Sequence, residues 1–134
     1  MKRAGWLLIL AGSVGMQAQD FRPYAGATAD RNAGQQASVR GSQVEVYTTA
    51  DSFEKVYAYY KAQYPEHKWP GKAPSLPSGK EVRWAFFILD GGKDLLHSKY
   101  WLKIQRPYIG TVGEADGEFK DIRDVTAIQT IRKN

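Results

Sequence analysis

Hydrophobic and polar residues alternate along several stretches of the chain, and along one stretch they recur with the period of a helix. Over 44–48, Val44 and Val46 fall on one side and Glu45 and Tyr47 on the other, with the β-branched content of a half-buried strand. Phe53, Val56, Tyr57, Tyr60 and Tyr64 then recur at helical spacing. Asp51 is placed to cap that helix, Glu54 to complete a capping box, and Pro65 to end it. Residues 66–79 contain Pro70, Gly71, Pro74, Pro77 and Gly79 and read as a surface loop.

Alternation resumes over 81–89, where Val82, Trp84, Phe86 and Ile88 oppose Arg83, Ala85, Phe87 and Leu89. Asp90-Gly91-Gly92 turns the chain, and 93–98 makes a short helical turn. Over 100–105, Tyr100, Leu102 and Ile104 oppose Trp101, Lys103 and Gln105, and Pro107 closes the strand. A glycine-punctuated acidic loop follows over 110–121. The last strand, 125–132, sets Val125, Ala127 and Ile131 against Thr126, Ile128 and Thr130.

The order β-α-β-β-β predicts an α+β domain over 44–134, an antiparallel sheet of about four strands with one amphipathic helix packed on one face. The helix is expected to cover the side of Val46, Trp84, Phe86, Leu102 and Val125. The opposite side, with Tyr47, Phe87, Leu89, Trp101 and Ile128, is too apolar to stand wholly in water. Tyr47, Phe87, Trp101, Lys103 and Ile128 are therefore the candidate binding face. Its cover would come from the preceding segment, from self-association as a homodimer, or from a ligand or partner. The preceding segment, 20–43, is rich in Ala, Gly, Gln, Arg and Asn and reads as an extended arm anchored by Phe21, Pro23 and Tyr24.

Ahead of the arm, residues 1–19 begin with Lys2 and Arg3, continue through an apolar run of about a dozen residues and end in small and polar residues. That is the layout of a signal peptide, and the run falls short of the roughly 20 residues that span a bilayer. No cysteine follows the expected cut near Ala18 to carry a lipid, so the mature chain is expected to be periplasmic or secreted, without a transmembrane span.

Composition narrows the chemistry. A chain of 134 residues supports one domain, and the absence of cysteine excludes disulfides, thiolate zinc sites and cysteine nucleophiles together. The formal charge is +5; removal of Lys2 and Arg3 with the signal leaves 17 Lys and Arg against 14 acidic residues, or +3. Arg83, Trp101, Lys103 and Arg106 could in principle stack and pair with a single strand, but export and the modest charge argue against nucleic acid.

His67 and His97 are the only histidines, each in an expected loop. Asp94, His97 and Ser98 are close in sequence, yet no Gly-x-Ser-x-Gly pattern sets the serine on a sharp turn. Glu114, Asp116, Glu118, Asp121 and Asp124 make an acidic cluster with Gly113 and Gly117 that does not meet EF-hand spacing and reads as solvated. Gly91-Gly92-Lys93 lacks the rest of a phosphate-binding loop. The sequence names no catalytic residue, metal or cofactor.

Four segments together resemble a family of small, uncharacterised secreted bacterial α+β proteins with a Tyr-Pro-Gly-Ala-like N-terminal turn. They are Pro23-Tyr24-Ala25-Gly26-Ala27, the tyrosine-rich helix over 51–61, Ile104-Gln105-Arg106-Pro107, and Asp124-Val125-Thr126-Ala127-Ile128. Ala25 stands where that turn usually has proline. The resemblance implies a fold and an export route and brings no activity with it.

The reading that results is an exported, non-enzymatic binding or interaction domain of the bacterial envelope, meeting an envelope protein, a glycan or an apolar ligand. Two alternatives stand beside it. One is a carboxylate-based hydrolase of envelope polymers using Asp90, Asp94 or the acidic loop; the other is an inhibitor whose loop 66–79 plugs a target.

Overall fold

The computed structural model describes residues 21–38, 41–112 and 118–134. The expected signal peptide, and Gly113, Glu114, Asp116 and Gly117 of the acidic cluster, lie outside the described residues. In chain order the elements are β1 (Thr28–Ala29), α1 (Arg31–Ala37), β2 (Ser42–Thr49), α2 (Phe53–Lys61), β3 (Glu66–His67), β4 (Arg83–Ile88), β5 (Tyr100–Arg106), β6 (Tyr108–Val112), β7 (Phe119–Arg123) and β8 (Thr126–Lys133). The class is α+β, as the alternation predicts.

The sheet is larger than the four strands expected. Six antiparallel strands run in the order β1-β2-β8-β5-β4-β3, and β6 and β7 pair as a separate two-stranded sheet where an acidic loop was expected. The additions are short strands at both edges, β1 and β3, of two residues each. Elements of this length carry no readable periodicity and exist because a neighbouring strand supplies their hydrogen-bond partners. The C-terminal strand β8 lies between β2 and β5, and Thr126, Ala127 and Ile128 there are fully buried.

Helix α2 forms where its apolar period predicts, one residue differently capped. The Ser52 hydroxyl accepts the Lys55 N–H at 3.2 Å, while Asp51 instead accepts the Tyr24 hydroxyl at 2.6 Å. The helix stops before Pro65, because the Tyr60 carbonyl takes the N–H groups of both Gln63 and Tyr64 and tightens the last turn. Phe53, Val56 and Tyr60 form its buried stripe.

That stripe packs on Ala85, Phe87, Leu89, Tyr100, Leu102, Ile104 and Ile128. The strand pairing accounts for this grouping: Tyr47 lies opposite Ile128, Ile128 opposite Ile104, and Ile104 opposite Ala85, so these share one face. The expected grouping under the helix is thereby corrected. Leu102 is on the helix side, whereas Val46, Trp84 and Phe86 are on the other, with Phe86 in a cluster with Ile88 and Leu95. Alternation within each strand is as predicted, but the phase between strands differs, and a one-residue change of phase exchanges the faces of a whole strand.

The expected extended arm is also more structured, and it serves both faces. Its start lies on the helix side: the Phe21 ring stacks on Tyr60 with centroids 5.7 Å apart, and the Tyr60 hydroxyl donates to the Arg22 carbonyl at 3.1 Å. Its second half forms α1, capped by Asp30, which accepts the Ala33 N–H at 3.0 Å. Gly34 of α1 comes so close to β2 that a Cβ there would lie 2.9 Å from the Val44 carbonyl oxygen. At the end of α1 the Ser38 hydroxyl accepts the Val44 N–H at 2.9 Å. Helix α1 thus blunts an edge strand that β1 covers only at Tyr47 and Thr48.

Candidate functional site

Helix α2 covers the centre of one face of the sheet, burying Phe87, Leu102, Ile104 and Ile128, and the other face is open along its middle. The open face carries Val44 and Val46 of β2, Gln129 and Ile131 of β8, Trp101, Lys103 and Gln105 of β5, and Trp84, Phe86 and Ile88 of β4. Two walls stand over it. On one side Ala33 of α1 packs with Val46, Ala127 and Tyr108; on the other Leu95 packs on Phe86 and Ile88, and the Trp69 ring lies 5.4 Å from that of Phe86. Between the walls Trp84, Trp101, Lys103, Gln129 and Ile131 form a partly exposed floor.

Lys103 sits at the centre of that floor, opposite Gln129 on one side and Phe86 on the other. Its ammonium lies 5.3 Å from the centre of the Trp84 ring, a cation–π contact, and the Lys133 ammonium lies 5.0 Å from that of Trp101. Burial pushes the Lys103 pKa down, with no carboxylate among the described residues to hold it up. Among the described residues no strand position on this face is Asp or Glu; Glu45 and Glu66 both belong to the helix-side face. The open face is therefore aromatic, positively charged and without a counter-charge of its own among the described strands.

The five residues singled out from sequence divide between the faces. Phe87 and Ile128 are 0% exposed beneath α2, and Tyr47 is partly buried beside Phe21, so these three are core and its margin. Trp101 and Lys103 lie together on the open floor. Trp84, Phe86 and Trp69 belong with them and were not singled out. The sequence pattern predicts Trp84 and Phe86 on the helix side, and Trp69 falls in a loop with no periodicity to place it. Lys103, in alternation with Leu102 and Ile104, marks the uncovered side of β5. That does not fix which half of β4 lies beside it, because the connection is no two-residue hairpin.

The hydrolytic groups are engaged elsewhere. The Ser98 hydroxyl donates to Asp90 Oδ1 at 2.7 Å, and Asp90 also accepts the N–H groups of Gly92 and Lys99. Burial opposes ionisation of Asp90, yet these hydrogen bonds outweigh it and hold the carboxyl below its ordinary pKa. His97 Nδ1 lies 2.7 Å from Asp94 Oδ1, on an exposed turn, so Asp94-His97-Ser98 is a pair and a separately bonded serine. Asp121 pairs with Arg123, and Asp124 with Lys80 and Arg106. Among the described residues no three His, Asp or Glu side chains converge as metal ligands.

A cleft of about 600 Å³ lies between α2 and the 73–82 segment, lined by Phe53, Tyr57, Val82, Arg83 and Trp84. Its charged groups are already paired: Arg83 lies over the Phe53 ring and makes an ion pair with Glu54. A smaller hollow of about 230 Å³ adjoins the open face at His67, Trp69, Trp84 and Phe86. Trp84 lines both. No protein-family profile, curated protein or solved structure matches this chain.

Proposed function

We propose that the protein is an exported, non-enzymatic binding domain of the bacterial envelope, and that it meets its partner on the open face of the sheet. The observation that carries this reading is the floor of Trp84, Trp101 and Lys103. Two tryptophans left partly exposed around a lysine that burial strips of some of its water are unfavourable in water and become favourable when a ligand covers them. The engagement of Asp90, Asp94 and Ser98 in holding their own turn supports binding over hydrolysis. Export is supported by the basic and apolar pattern of residues 1–19 and by the resemblance to secreted proteins.

The test is a thermal-shift panel of the exported protein against oligosaccharides, peptidoglycan fragments, fatty acids, calcium and single-stranded DNA. A ligand present at 100 times its Kd adds about 2.7 kcal/mol of stability. A shift that Trp101→Ala and Trp84→Ala both abolish supports the reading. Binding that neither substitution alters would overturn it. N-terminal sequencing of protein recovered from the periplasm checks the export half, with a start near Gln19 expected and an intact Met1 contradicting it.

A further inference from the structure

Resting on that reading, we infer that the ligand of the open face is an acidic glycan, a chain of sugar rings bearing carboxylates. The ring faces would lie on Trp84 and Trp101, and a carboxylate would meet Lys103. Three observations favour this occupant. The first is charge: Lys103 and Lys133 are the charged strand residues of the face, both cationic and both held against tryptophan rings, with no acidic strand residue beside them. An ammonium that has lost water without gaining a counter-ion leaves room for a ligand carboxylate to supply one.

The second is size. The floor spans β8, β5 and β4, two inter-strand spacings or roughly 10 Å, and runs about 13 Å along the strands from the level of Trp101 to that of Trp84, four residues of β5 away. A globular partner needs about 800 Å² on each side, which a walled strip of this size does not offer. A single polymer chain fits between the walls. The third is shape: the floor is open, whereas a fatty acid calls for an enclosed apolar cavity. Gln129, partly exposed next to Lys103, adds an amide able to donate to and accept from sugar hydroxyls. Single-stranded nucleic acid shares the stacking chemistry, but two lysines are few for tracking a phosphate backbone.

The experiment titrates the exported protein, by its tryptophan fluorescence, with short oligomers of galacturonate, mannuronate and glucuronate, each also as its methyl ester. Oligothymidylate and myristate are the other two arms. At least one uronate oligomer is expected to bind with at least tenfold higher affinity than its ester, which keeps the rings and loses the charge. Lys103→Met is expected to remove that preference, bringing acid and ester to similar affinity, and Lys103→Arg to keep it. The acid–ester comparison is made on unaltered protein, so it does not depend on any variant folding.

Equal affinity for acid and ester, no uronate binding, or tighter binding of oligothymidylate or myristate would each overturn the inference. If one of those other ligands binds and Trp101→Ala abolishes it, the binding face stands and only the ligand class falls. If a ligand binds and neither tryptophan matters, the face itself falls.

Discussion

The two faces of one sheet are built from neighbouring residues of the same strands and meet different fates. On one, Phe87, Leu102, Ile104 and Ile128 are wholly buried under α2, and the chain before β1 folds back to seal the margin with Phe21 and Tyr24. Even the polar groups of that cover are matched, with the Tyr60 hydroxyl on the Arg22 carbonyl and the Tyr24 hydroxyl on Asp51. On the other, Trp84, Trp101 and Lys103 alternate with those same residues but meet only walls, α1 on one side and the Leu95 turn on the other. Apolar character alone therefore does not mark a core. What separates a core residue from a partly exposed one here is whether a further element of the chain lies over it.

The sharpest break of this comparison is at Phe87. Phe87→Ala is expected to cost about 3–5 kcal/mol, read from urea unfolding, because it empties a fully packed site. If it cost no more than Trp101→Ala, the two faces would not differ as described.

The walls come next. Gly34→Ala sets a Cβ against the Val44 carbonyl and should cost about 1–3 kcal/mol as α1 is pushed from β2, with amide exchange accelerated in α1. Asp90→Ala removes the acceptor that holds the opposite turn and should cost about 1–3 kcal/mol at neutral pH. Because folding lowers the Asp90 pKa, its contribution is complete above the ordinary carboxylate value of about 3.9 and fades as pH falls through the folded value. The wild type and Asp90→Asn are thus expected to converge in strong acid.

Smaller effects belong to the floor. Trp101→Ala should cost about 1 kcal/mol, since only part of the ring is removed from water. Lys103→Met should change stability by under about 1 kcal/mol and in the opposite direction, toward greater stability, because it replaces a desolvated ammonium with an apolar chain of similar volume. The folded-state pKa of Lys103 lies below its unfolded value, so the charged form is penalised in full at every pH below the folded value. That penalty is lost as pH rises toward the unfolded value of about 10.4. The advantage of Lys103→Met in thermal unfolding should shrink over the same range, and an advantage that grew instead would contradict the desolvation of Lys103.

Much of the fold was legible because it is local. Strand parity in β4, β5 and β8, the apolar stripe of α2 and the turn at Asp90 each depend on residues a few positions apart, and each is found where the pattern places it. Helix α1 has no legible period because Arg31–Ala37 contains no large apolar residue: it packs through Ala33 and Gly34, whose value is that they let two backbones approach. The cap of α2 moved from Asp51 to Ser52 because Tyr24, far away in sequence, claims the aspartate. The candidate site was half legible, with Trp101 and Lys103 placed together by parity and Tyr47, Phe87 and Ile128 assigned to their side by a phase the sequence does not contain.

The sequence by itself determined the α+β class, the helix between the first long strand and the rest, the chemistry that absent cysteine forbids, and which residues of each strand point the same way. These follow from periods of 2 and 3.6 residues, which belong to the local backbone. Only the tertiary structure decided that β8 lies between β2 and β5, which half of each strand faces α2, and that Trp84 stands beside Lys103. Those are matters of register between strands far apart in the chain, and register is fixed by the packing of one buried face as a whole.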